Sequence, residues 1–111
     1  MGFLNKLFGK EEEEKAAQTP NISVAEAAEE NSIPLEKVGL DGQFDESGLA
    51  KRVAQALDDA DISDDVGLWV AQTGSTVVLK YNEDAESILE QAEEVARAVE
   101  GTTEVQTQPN V

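Results

Sequence analysis

The stretch from Val66 to Tyr81 limits the possible folds more than any other part of the chain. Val66 to Ala71 alternates, with Val66, Leu68 and Val70 on one face and Trp69 and Ala71 on the other. Gln72, Thr73 and Gly74 supply a turn, and Thr76 to Tyr81 is a second β-rich run. Two such runs around a glycine-bearing turn read as a hairpin.

The hairpin lies between two helical patterns. Leu49, Val53, Ala56, Leu57 and Ala60 follow helical spacing, with Asp45 or Ser47 as N-cap. The acidic run from Asp58 to Asp65 ends that helix, because acids at a helix C-terminus oppose the macrodipole. After the hairpin, Asn82 is placed to cap a helix carrying Ile88, Leu89, Ala92, Val95, Ala96 and Val99, and Gly101 stops it. Thr103 to Thr107 reads as a third strand. Two amphipathic helices need an apolar surface to bury against, and a three-stranded sheet supplies one. The expected fold is α+β: a small three-stranded mixed sheet with two helices on one face, in the order helix-strand-strand-helix-strand. A right-handed crossover would set strand three parallel to strand two. The residues of the second strand that point inward stay open by one position, because a single slip exchanges Val77 and Val78.

Charge and composition narrow the function. Acidic residues outnumber Lys plus Arg by 24 to 8, for a net charge of −16. Nucleic acid is thereby disfavoured, since its binding faces need Lys and Arg to displace counterions. The chain has no Cys and no His. That removes disulfides, thiolate chemistry, imidazole bases and the usual zinc sites. Residues 41–111 hold sixteen acids against Lys51, Arg52, Lys80 and Arg97, so the acidity belongs mainly to the domain. Salt should therefore stabilise it by screening self-repulsion. No enzyme motif is present, and the reading is non-catalytic. No run approaches the roughly 20 apolar residues of a membrane span, and no secretory signal is evident. The expectation is a cytoplasmic monomer, with a membrane-peripheral location as the alternative.

Four regions follow from these patterns. Residues 1–21 read as a flexible amphipathic and acidic arm, residues 22–43 as a short helical or loop extension packing on the domain, residues 44–107 as the domain, and residues 108–111 as a tail. In the second region, Ser23 with Glu26 has capping-box spacing.

The segments LAKRVAQALDDADI, VGLWVAQTGSTVVLKY and AESILEQAEEVARAVEGTTEV resemble the BON domain family over about residues 45–107. Ala56-Leu57, Gly74, Val77-Val78-Leu79, Ala92 to Val99, Gly101 and Val105 fit the family's slots. Where the family places a Gly after the second strand, this chain has Lys80 and Tyr81. The short apolar start Met1-Gly2-Phe3-Leu4-Asn5 is similar to that of cytoplasmic potassium-binding proteins joining a BON domain to a LysM domain, although no LysM segment follows here. The resemblance implies a binding or adaptor module whose ligands are a protein partner or a phospholipid surface, with potassium binding as the alternative.

Three constellations are candidate sites. Phe3, Leu4, Leu7 and Phe8 form an apolar stripe beside Lys6 and Lys10. It either docks on its own domain or reaches a partner or membrane surface. Trp69 is an interface anchor if its sheet face is open, or is covered by Leu35, Val38 or Leu40. Asp58, Asp59, Asp61, Asp64 and Asp65 offer carboxylates to a cation, though EF-hand spacing fails: from Asp59 the sixth position is Asp64 and the twelfth Val70. A dehydrated potassium ion would prefer backbone carbonyls to these acids.

Overall fold

A computed structural model describes residues 2–9, 24–40, 42–62 and 65–109. It contains helices α1 (Phe3–Phe8), α2 (Val24–Asn31), α3 (Gly48–Asp59) and α4 (Glu86–Ala98), and strands β1 (Leu68–Thr73), β2 (Thr76–Tyr81) and β3 (Glu104–Pro109). The architecture is α+β with a three-stranded mixed sheet in the order β1-β2-β3. β1 and β2 are antiparallel, and β3 lies parallel to β2 after the α4 crossover.

The hairpin turn is tighter than its sequence suggests. Thr73 pairs with Thr76, leaving only Gly74 and Ser75 between the strands. Gly74 has φ +60 and Ser75 does not have positive φ, which suits the first central position of a two-residue turn matching strand twist. Thr73 and Gln72 therefore belong to β1, which starts at Leu68 rather than Val66. β3 runs on to Pro109, two residues into the expected tail.

Register decides which residues face inward. Leu68, Val70, Val77 and Leu79 are buried on one face, and Val105 of β3 is half-buried beside Val77. α3 covers this face with Leu49, Val53 and Leu57, while α4 brings Ala92 and Ala96 to the same cluster. Fully burying a Leu or Val stabilises by about 1.5–3 kcal/mol, so this cluster is the main source of stability. A second, smaller cluster joins Ala27, Ala28, Ile33 and Val38, binding α2 to the following loop.

Helix ends follow local chemistry. α3 does not stop because acids crowd its end. Asp61 takes a left-handed conformation at φ +59, its N–H bonds the Asp58 carbonyl, and the Ile62 N–H bonds the Leu57 carbonyl at 3.1 Å. That is a Schellman ending, with Ile62 buried behind it. α2 ends alike: Ser32 sits at φ +55 and the Ile33 N–H bonds the Ala28 carbonyl at 2.8 Å. Asn82 makes no side-chain cap, and a single 3₁₀ turn, Glu83–Ala85, precedes α4. Ser23 and Glu11 to Glu14 lie outside the described residues.

Candidate functional site

The N-terminal stripe is part of the core. Phe3 is 0% and Leu4 is 2% exposed, both in the cluster formed by α3 and the sheet. Leu7 and Phe8 are half-buried against it. The expectation that Phe3 and Leu4 meet a partner or a membrane is corrected. The cause is an apolar surface on α3 close at hand, together with a cap supplied in trans along the chain. The Asp58 carboxylate accepts the Phe3 N–H at 2.6 Å and the Leu4 N–H at 3.2 Å. Two orphan donors of α1 are thereby satisfied by an acid at its positive end. Gly2 packs so closely on Asp58 that a Cβ there would collide with the carboxylate. Lys6 Nζ adds a bond to the Val66 carbonyl at 2.9 Å.

This use of Asp58 commits one of the five acids of the loop to a cap. Asp61 is the left-handed residue of the helix ending, and Asp59, Asp61 and Asp65 are exposed. Asp64 lies outside the described residues. Among the described residues no three carboxylates are grouped as metal ligands would be.

Backbone carbonyls do converge elsewhere, around Arg52. Its Nε donates to the Val38 carbonyl at 2.8 Å, and its two terminal nitrogens donate to the carbonyls of Glu100 and Leu35. The guanidinium thus joins α3 to the loop before it and to the turn after α4. Burial lowers the Arg52 pKa to about 10, a shift only partly opposed by the charge of Glu100. A monovalent cation seeking these carbonyls would have to displace a resident one. Gln72 makes a neutral counterpart nearby, accepting the Ala50 N–H at 2.8 Å and donating to the Glu36 carbonyl at 2.9 Å. Neither Arg52 nor Gln72 stands out in the sequence as a hub. A lone Arg on an apolar helical stripe is the available signal.

The open face of the sheet is the remaining candidate. Register sets its side chains in three rows: Trp69, Lys80 and Gln108; Ala71, Val78 and Gln106; Thr73, Thr76 and Glu104. Trp69 is 37% exposed at one end, and Ala71 and half-buried Val78 continue the apolar surface from it. Val38 and Leu40, expected as covers for Trp69, are instead buried in the two core clusters. The face carries one base, Lys80, and one acid, Glu104, in a chain of net charge −16. α2 and α4 hold Glu26, Glu29, Glu30, Glu86, Glu90, Glu93 and Glu94. The face itself is thus close to neutral, one base balancing one acid. Sequence alternation places Ala71 with Trp69, whereas Val78 emerges only once the register of β2 is known.

No family model, curated protein or solved structure matches the chain. No helix among the described residues is long and apolar enough to cross a membrane.

Proposed function

We propose that this chain is a BON-like, non-catalytic binding module of the cytoplasm that docks a protein partner through the open face of its sheet. The observation that carries this reading is Trp69, exposed beside Ala71 and Val78 on a face with almost no net charge. Exposed Trp residues with apolar neighbours are common anchors of protein interfaces. The likeness of the helix-strand-strand-helix-strand order to BON domains supports the same reading. A protein partner is preferred to a phospholipid surface because Phe3 and Leu4, the side chains best suited to enter a membrane, are buried. The acidic helices would also be repelled by anionic lipid.

Site-specific photocrosslinking in cells of the source organism tests this. A photoreactive residue at Gln106, in the middle row of the face, should give a discrete adduct that the same residue at Glu94 on α4 does not. Trp69→Ala should abolish it. Equal adducts from both positions, or none from Gln106, would overturn the reading. Co-sedimentation with phospholipid vesicles that Trp69→Ala removes would assign the face to lipid instead.

A further inference from the structure

α1 is too short to hold its own shape. It has six residues, against the roughly 12–15 that a helix in water needs to be even marginally stable. Its helical form therefore depends on what it touches. Phe3 and Leu4 supply the apolar part, buried in the cluster of α3 and the sheet. The polar part comes at two points, and these stand at the two ends of one connection. At the first, the Asp58 carboxylate in the last turn of α3 accepts the Phe3 and Leu4 N–H groups. At the second, the Val66 carbonyl, two residues before β1, accepts the Lys6 ammonium at 2.9 Å.

We infer that α1 is a releasable clasp across the α3–β1 connection, opening and closing as a unit while the rest of the domain stays folded. Cooperative local opening of this kind is drawn from elements with few buried contacts of their own. Between the clasped ends lie Asp59, Asp61 and Asp65, all exposed. With Asp58 they repel one another, and α1 brings a helix N-terminus to one end and an ammonium group to the other. Closing the clasp sets positive charge at both ends of a negative stretch.

Both ends also serve the neighbouring elements. The Asp58 carboxylate holds α1 while its carbonyl accepts the Asp61 N–H in the ending of α3 at 3.0 Å. The Val66 carbonyl holds Lys6 and accepts the Leu68 N–H, the first of β1, at 3.1 Å. Gly67, between them, is fixed from the α4 side: its N–H donates to the Asp84 carboxylate at 2.9 Å, and its carbonyl accepts the Asn82 N–H at 2.8 Å. Release of α1 therefore loosens the end of α3 and the start of β1 together. The β2 ladder and α4 keep their own backbone bonds, which α1 does not make. The clasp goes beyond the proposed docking function and does not depend on it.

Amide hydrogen exchange of the full chain, resolved by NMR, tests it. In the parent, the Phe3, Leu4 and Lys6 amides should exchange faster than those of Leu79 in β2 and Ala92 in α4. Two substitutions then act at opposite ends. Asp58→Ala should raise exchange at Phe3 and Leu4 by about 5-fold, the effect of a typical lost cap, and by a similar factor at Leu68 on the far end. Lys6→Met, at an exposed position, should raise exchange at Leu68 by about 2-fold and carry the same factor to Phe3, Leu4 and Ile62. Asp58→Asn, which keeps an acceptor oxygen on the same stem, should lie between the parent and Asp58→Ala. Leu79 and Ala92 should not change in any variant. Changes confined to the substituted end would overturn the clasp, since α1 would then not act as a unit. Phe3 and Leu4 amides as protected as Leu79, or a rise at Leu79 and Ala92 equal to that at Phe3, would overturn it too, by making α1 inseparable from the core.

Discussion

The two faces of the sheet are built from the same eighteen positions of three strands and meet opposite fates. On one face Leu68, Val70, Val77 and Leu79 are packed beneath α1, α3 and α4. On the other, Trp69, Ala71 and Val78 lie among Lys80, Gln106 and the threonines, with no described element above them. The covered face has spent its apolar area on folding. The open face retains apolar area that no described element covers, and its one base and one acid balance. On the proposed function, such a surface acts in association rather than in stability.

The largest expected effect comes from truncating neighbours that point to opposite sides. Leu79→Ala should cost about 2–5 kcal/mol in urea unfolding, because the cavity lies between the sheet and both long helices. Val78→Ala, one residue away on the open face, should cost less than about 1 kcal/mol. Equal losses would break the contrast and show that something covers the second face in solution.

Arg52 provides the next effect, on the covered side. Arg52→Lys keeps a buried cation but cannot span three carbonyls from separate segments, since an ammonium group is a single point of donation. A loss of about 2–3 kcal/mol is expected. The pH dependence fixes the cause. With its folded pKa lowered to about 10 from 12.5, Arg52 binds fewer protons when folded, so its contribution to stability rises with pH across that window. Lys starts from about 10.4, and the same burial lowers it further, so the variant should begin its rise at lower pH than the parent. Denaturant midpoints measured between about pH 8 and pH 10 would show this. A loss below about 0.5 kcal/mol would mean that the three carbonyls are satisfied without the guanidinium.

Much of this organisation is legible from residue pattern, and the misreadings have physical reasons. The helical stripe of Leu49, Val53 and Leu57, the Gly74 hairpin and the parallel third strand follow from periodicity and turn chemistry. The fate of Phe3 and Leu4 does not, because an amphipathic hexapeptide looks the same whether it meets lipid or its own domain. What settles it is Asp58, which lies 55 residues from Phe3 in sequence and caps a helix it does not belong to. The same distance hides the role of the acidic run. Asp58 and Asp61 read as ligands when viewed together, and the fold employs one as a cap and the other as a left-handed helix end. Arg52 is hidden for a related reason: its acceptors are backbone groups, which leave no trace in residue identity.

The smallest effect on stability is expected at Trp69. Its indole is 37% exposed and stands at the end of β1, where its neighbours on the open face are Lys80 and Ala71. Removing it withdraws cross-strand contact but opens no core cavity, so Trp69→Ala should shift the unfolding free energy by no more than about 1 kcal/mol. Trp69 is also the chain's single tryptophan, which allows the site itself to be watched. Acrylamide quenching of its fluorescence should be efficient in the isolated protein and should fall when a partner docks, because docking on the open face shields the indole. Quenching that stays equally strong on adding extract from the source organism would leave the open face with nothing to bind. Weak quenching in dilute protein would show the opposite failure, an indole covered by its own chain. The contrast between the faces then rests on one residue whose loss is expected to be nearly silent in folding and, on the proposed function, decisive in binding.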